Sequence, residues 1–223
     1  MRILIGQPIH EKGIEQLEGE IKANKEVDIV LYPEGYLANE EVLENACKIA
    51  KKYNVTIITA YRQEKKDRAV IISNKGEKVF DRAKTPPAEN IKLYPPLTVE
   101  YNEMTIGYLL CMEILKGVRD LKEINDPISF ICHPIGVGMF SDEQFEEWIN
   151  EAKEIAKSYK TIIVGTSHAD GSFRNCGISI PISYCIDRNG ETIFISKSDT
   201  RTRIVDLSTR EVEFAVEVYY AKS

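Results

Sequence analysis

The chain has no CxxC pair, no glycine-rich phosphate loop and no long apolar run, and each absence removes a class of function. Its cysteines stand at 47, 111, 132, 176 and 185, an odd number without the paired spacing of a zinc ribbon or a redox centre. Free thiols, kept reduced, are the expectation. Neither GxGxxG nor GxxxxGK[ST] occurs, which removes the two commonest cradles for nucleotide phosphates. No stretch approaches the roughly 18 to 20 apolar residues needed to cross a bilayer. The opening MRILIGQPIH turns polar after one short apolar run, unlike a signal-peptide core. A cytoplasmic protein with no membrane partner is expected.

A cationic surplus is missing too. Lys plus Arg number 29 against 35 Asp plus Glu, for a formal net charge of -6, and no basic stripe is present to neutralise a phosphate backbone. Nucleic acid is therefore not an expected partner. Cys132-His133 taken with His168 has neither the spacing nor the ligand number of a zinc site, so no metal and no cofactor are expected.

What is present suits one globular domain spanning 1–223: the chain is 43% hydrophobic and 29% charged, and it has no internal repeat or low-complexity segment. Hydrophobic period predicts a strand at Arg2 to Gln7, a helix carrying Ile14, Leu17 and Ile21, and a strand from Val27 to Tyr32. A helix over Asn39 to Lys52 and a strand at 55–60 follow, a β-α-β-α-β order. Arg68 to Ser73 and Glu77 to Arg82 flank Asn74-Lys75-Gly76, a hairpin signature that makes the sheet mixed. Pro86, Pro87, Pro95 and Pro96 mark an ordered loop. Beyond it come strands at Thr105 to Leu110 and Ile128 to Cys132, an amphipathic helix between Asp142 and Tyr159, and a strand at Thr161 to Thr166. Gly177 to Asp187 and Thr192 to Ser196 form a second hairpin about Arg188-Asn189-Gly190-Glu191, and Arg203 to Leu207 is a last strand. Pro181, inside the longer run, points to an edge position or a bulge.

Three chemically capable residues fall where strands end, the place where a rigid α/β scaffold presents side chains to open space. Glu34 follows VDIVLYP, Lys84 follows EKVFDRA and Cys111 follows TIGYLL. A thiol with an ordinary pKa of about 8.5 becomes a good nucleophile only once deprotonated, which a carboxylate base and an ammonium group promote. Each residue alone also has a plainer reading: Cys111 as an inert core thiol, Glu34 as a helix cap, Lys84 as a solvated surface charge. The chemical reading demands that the three be close, paired and at least partly buried.

The PEG at 33–35, the AK at 83–84 after a hairpin and GYLLCME at 107–113 resemble, in order and separation, the three signatures of the nitrilase, or carbon-nitrogen hydrolase, superfamily. The resemblance extends to the His133-Pro134 turn, the helix after Trp148, TIIVGTSHADG at 161–171 and the SYCIDRNGE hairpin. It implies a four-layer α-β-β-α sandwich with two mixed sheets and hydrolysis through a cysteine thioester. By position, Glu34 would be the base, Cys111 the nucleophile, Lys84 the stabiliser of the tetrahedral intermediate, and the Met112 backbone amide part of the oxyanion hole. Glu89 matches a second glutamate that many members place near the triad. Glu113 falls where an acid often braces the nucleophile loop, and His133 is a further candidate beside the site. A small-molecule amide as substrate and a homodimer or higher homo-oligomer are what the resemblance implies for partners.

The run Cys111-Met112-Glu113-Ile114-Leu115-Lys116-Gly117 departs from the usual segment after the nucleophile, and the loops are compressed, so a small or open pocket is expected. Two other classes remain as alternatives: a catalytically silent scaffold of the same fold, and an unrelated α/β binding protein.

Overall fold

A computed structural model describes residues 1–11, 13–124, 126–170, 179–216 and 218. Among the described residues, thirteen strands form two sheets. The first, in the order β13-β12-β1-β2-β3-β4-β5, comprises β1 (Arg2–Ile5), β2 (Ile29–Leu31), β3 (Thr56–Gln63), β4 (Lys66–Ile72), β5 (Lys78–Ala83), β12 (Arg203–Asp206) and β13 (Val212–Phe214). The second, in the order β11-β10-β9-β8-β7-β6, comprises β6 (Thr98–Tyr101), β7 (Met104–Tyr108), β8 (Phe130–Pro134), β9 (Ile162–Thr166), β10 (Ile182–Ile186) and β11 (Thr192–Lys197). Helices α1 (Glu15–Ala23) and α2 (Glu40–Tyr53) cross over the first sheet, and α3 (Ile114–Asp120) and α4 (Asp142–Tyr159) over the second. Both sheets are mixed: β1-β2-β3 and β7-β8-β9 run parallel, and their outer neighbours antiparallel.

Alternation along the strands builds the layers, because successive side chains face opposite sides of a sheet. In β1, Ile3 and Ile5 enter the core between the two sheets while Leu4 meets α1 and α2. In β8 and β9, Phe130, Cys132, Ile162 and Val164 face the other sheet, while Ile131 and Ile163 pack under α3 and α4. Three apolar layers thus separate four structural ones, giving the α-β-β-α sandwich. The helices seat on it through caps: the Asn39 side chain accepts from the Val42 amide at 2.9 Å, and Ser141 from Gln144 at 3.2 Å.

The parallel strands bring their carboxyl ends to one side. Residues 33–35 follow β2, residues 109–111 follow β7, and His133 is the penultimate residue of β8. β5 is antiparallel to β4, which is antiparallel to β3, so Lys84 leaves the first sheet at this same end. The proline loop after Lys84 is tied down by Lys116 of α3, whose Nζ donates to the carbonyls of Ala88 at 2.6 Å and Ile91 at 2.9 Å.

The structure departs from the sequence reading in three places. β3 and β4 form a hairpin whose turn, Glu64-Lys65, adopts positive φ at both residues (48° and 63°) without the Asn or Gly that normally signals such a turn. The short edge strands β6 and β13 and the helix α3 are additional elements. Pro181 lies just ahead of β10, which is central in its sheet, so it marks neither an edge nor a bulge within the strand. Residues 177 and 178 of the run read as that strand lie outside the described residues.

After β8 the chain makes a close backbone contact. The Gly138 amide donates to Ser179 Oγ at 3.1 Å, and Met139 bridges Ile180 in both directions at 2.9 and 2.7 Å. A Cβ at position 138 would lie 1.8 Å from the Ile180 carbonyl oxygen. Gly138→Ala is therefore expected to destabilise the fold by about 1–3 kcal/mol in denaturant unfolding, and an unchanged midpoint would contradict this packing.

Candidate active site

The turn Pro33-Glu34-Gly35 is held against β3, with Thr59 Oγ1 donating to the Pro33 carbonyl at 2.8 Å. Gly35 has φ 75°, which lets the chain reverse immediately after Glu34. The Glu34 carboxylate is directed inward, with 4% of its side chain exposed, and Lys84 Nζ donates to its Oε1 at 2.6 Å. Lys84 is held by its own amide, which continues the β4–β5 ladder by donating to the Asp67 carbonyl at 2.9 Å.

Cys111 opens a one-turn 3-10 segment over Cys111–Glu113 that leads into α3. Its φ is 54°, a left-handed conformation that costs a non-glycine residue about 1–2 kcal/mol and that collects at functional turns. Its thiol hydrogen-bonds with the Glu34 carboxylate and receives the Gly136 amide. The three strand-end residues are thus brought together, with Glu34 in contact with both others. Met112 follows at the first turn, where backbone N–H groups have no partner within the helix, and its side chain is exposed.

The strained backbone of Cys111 is held by a buried histidine. His133 Nε2 lies 2.8 Å from the Cys111 carbonyl, and its Nδ1 lies 2.5 Å from the Tyr184 hydroxyl. Burial lowers the His133 pKa to about 4, so the ring is neutral. A neutral ring has one N–H, and these partners assign it to Nε2, which donates to the carbonyl while Nδ1 accepts from Tyr184.

Glu113 is buried and forms a two-pronged ion pair with Arg82, at 2.8 and 2.5 Å. The same carboxylate accepts the amides of Thr85 at 2.7 Å and Leu110 at 2.8 Å. Those amides are one residue beyond Lys84 and one residue before Cys111, so one carboxylate fixes both catalytic candidates. Glu89 takes no part: it is exposed on the loop after Lys84, and the contact it makes is through its backbone carbonyl, which accepts from Arg119 at 3.3 Å. Asp67, which no strand-end pattern singles out, is the additional acid whose charge acts on both Glu34 and Lys84.

Burial sets the electrostatics. It pushes the Cys111 thiol up to about 12, with the Glu34 charge adding to the rise and Lys84 opposing it, so the resting group is the thiol. Burial also raises Glu34 above the usual carboxylate range despite Lys84. At Lys84 burial favours the neutral amine, but the neighbouring Cys111 and Glu34 outweigh it and raise the ammonium's pKa. The arrangement can therefore move a proton from sulfur to carboxylate beside a fixed cation. Cys132 and Cys185 are fully buried with raised pKa values, and Cys47 is partly buried. Cys176 lies outside the described residues.

Among the described residues, His10, His168 and Asp170 bring ligand-type atoms within 4.8 Å of one another. The two imidazole rings are stacked, however, with centroids 3.9 Å apart and planes 12° from parallel. An imidazole holds a metal in its own plane along the nitrogen lone pair, and two nearly parallel planes cannot share one ion. This arrangement is a braced ring pair and not a metal centre.

No family sequence profile and no curated protein sequence matches the chain. Solved structures do. A mutant of the Nesterenkonia AN1 amidase from the nitrilase superfamily superposes with a TM-score of 0.76 at 13% identity, covering 93% of this chain and 90% of that one. The chain has a nitrilase-like fold. A carbon-nitrogen hydrolase from Helicobacter pylori G27 matches with a TM-score of 0.71 at 14% identity, covering 94% and 90% of the two chains. Another mutant of the Nesterenkonia amidase, with TM-score 0.72, 13% identity and coverage of 93% and 90%, carries the acetamide moiety of fluoroacetamide covalently at its active-site cysteine.

The Arg82–Glu113 pair generates a direct test. Burial would raise the Glu113 pKa, but Arg82 and the two amides outweigh it and hold it below 4.5. A carboxyl with a depressed folded pKa contributes stability that is present above its unfolded value and lost as pH falls through the folded one. Glu113→Ala strands a buried guanidinium and is expected to cost about 3–5 kcal/mol at neutral pH, measured by urea unfolding. The cost should shrink as pH falls below 4.5; a pH-independent cost would contradict the assignment.

Proposed function

We propose that this protein hydrolyses the carbon-nitrogen bond of a small non-peptide amide, a carboxamide or ureido compound, through a thioester on Cys111. The observation that carries the reading is the 2.6 Å Lys84–Glu34 contact with the Cys111 thiol hydrogen-bonded to the same carboxylate. A resting thiol, a buried carboxylate and a permanent cation form the set that general-base-assisted acyl transfer needs.

In this reading Glu34 takes the thiol proton as sulfur attacks the amide carbon, so charge passes to the carbonyl oxygen as the carboxylate is neutralised. Lys84, with the Met112 amide, stabilises that oxygen. Collapse of the tetrahedral intermediate breaks the C–N bond, and the proton held on Glu34 goes to the departing nitrogen. Glu34, again a carboxylate, then takes a proton from water, whose oxygen attacks the thioester and releases the acid and the thiol. No cofactor or metal enters these steps. The apolar Met112 and Leu115, both exposed beside the nucleophile turn, support a pairing of two copies there.

The test is ammonia release over a panel of short carboxamides. Cys111→Ala is expected to reduce kcat by about 10³-fold or more, and Lys84→Met by about 10²–10³-fold. Because Glu34 must be ionised to act as base and burial raises its pKa, activity should fall on an acid limb whose midpoint lies above 4.5. Full activity in Cys111→Ala, or an acid midpoint below that value, would rule the mechanism out, and a wild type that releases no ammonia from any member of the panel would favour a silent scaffold of the same fold.

A further inference from the structure

A second buried histidine stands in the same relation to Glu34 as His133 does to Cys111. His168 lies just past β9 and is fully buried, and its Nε2 is 3.1 Å from the Glu34 carbonyl oxygen, 134 positions away in sequence. Burial, with His10 beside it, lowers the His168 pKa to about 3, so the ring is neutral and Nε2 carries the proton it gives to that carbonyl.

The face of His168 is covered by His10, stacked at 3.9 Å, while the ring of Tyr36 lies tilted to it with centroids 6.4 Å apart. His10 is fixed by Asp170: its Nδ1 lies 2.6 Å from Oδ1, and its own amide donates to Oδ2 at 3.0 Å. A carboxylate thus holds one imidazole, which holds the plane of a second, which holds the backbone of the catalytic carboxylate. Glu34 needs this from its carbonyl side, because Gly35 after it has φ 75° and supplies no side chain to anchor the turn. The partners at its carboxylate are the lysine and thiol that take part in the reaction.

We infer that His168, braced by His10 and Asp170, is a positioning residue for the base: its hydrogen bond to the Glu34 carbonyl sets the direction from which the carboxylate meets Lys84 and Cys111. The inference rests on the proposed amidase reading. Misplacing a reacting group by a fraction of an ångström slows the chemical step while leaving substrate binding nearly intact. The effect therefore belongs to kcat and to the intrinsic reactivity of Cys111, not to KM.

His168 also borders a cavity of about 200 Å³ that is lined by His10, Gly35, Tyr36 and Arg62 among others. His168→Ala would extend that cavity to the Glu34 carbonyl and admit free imidazole, so the lost donor can be supplied from solution. The experiment compares wild type, His168→Ala, His168→Gln and Asp170→Asn, reading kcat and KM for ammonia release and the rate of Cys111 alkylation by iodoacetamide. Loss of one buried donor predicts about a tenfold fall in kcat and in alkylation rate for His168→Ala, with KM within about twofold. Added imidazole should recover part of the loss, and His168→Gln, which keeps an N–H, should retain most of both rates. Asp170→Asn, at a partly exposed position, should lower both by a smaller factor, and it carries the test if His168→Ala does not fold.

Unchanged rates in His168→Ala overturn the inference, as does a loss that neither imidazole nor glutamine relieves, or wild-type rates in Asp170→Asn should His168→Ala fail to fold. A wild-type protein that releases no ammonia and shows no preferential Cys111 alkylation removes the amidase reading and this inference with it. A reactive wild type with unaffected variants removes this inference alone.

Discussion

The buried pair between Arg82 and Glu113 is the constraint on which the geometry of the site depends. Arg82 points from β5 into the layer between the sheets, donating also to the Tyr108 carbonyl at 3.1 Å, and Glu113 meets it from the turn after β7. Two sheets contribute the candidate catalytic groups, and apolar packing alone would let them slide by fractions of an ångström. One carboxylate that binds Arg82 and the amides of Thr85 and Leu110 removes that freedom, fixing Lys84 from one side and Cys111 from the other. A buried ion pair is poor value as stability, since desolvation consumes most of its Coulomb gain. Its use here is directional: two charged hydrogen bonds with fixed angles hold two loops in register.

The same low dielectric governs the chemistry. Burial keeps Cys111 as a thiol, raises Glu34 and leaves Lys84 charged. In the proposed reaction the nucleophile is then generated during attack, by transfer from sulfur to that carboxylate, with Lys84 in place before charge develops on the substrate oxygen. Two neutral histidines suit such a site, because each supplies a hydrogen bond to the carbonyl of a candidate catalytic residue without adding a charge that would compete with Lys84.

Much of this was legible in the sequence, for identifiable reasons. Strands buried on both faces read as apolar runs, and the residues just past them, Glu34 and Cys111, were exposed as candidates by that contrast. Asn74-Lys75-Gly76 marked the hairpin that delivers Lys84. The β3–β4 turn was hidden because Glu64 and Lys65 take positive φ under tertiary constraint without turn residues. Arg82 was hidden because EKVFDRAK alternates charge as a solvated edge strand does, and its partner is 31 positions away. His10, His168 and Asp170 converge across up to 160 positions, a relation that no local period encodes.

The central claim is that Glu34 activates the Cys111 thiol, and its most direct test is the pH dependence of Cys111 alkylation, followed by peptide mapping in wild type and Glu34→Gln. Transfer to Glu34 predicts labelling of Cys111 ahead of Cys47, Cys132 and Cys185. The rate should rise as Glu34 ionises above 4.5 and then stay level through neutral pH, and this phase should be missing in Glu34→Gln. A rate that climbs about tenfold per pH unit toward the pKa of a free thiol, as expected when only the bulk thiolate reacts, and that is the same in both proteins would contradict the account.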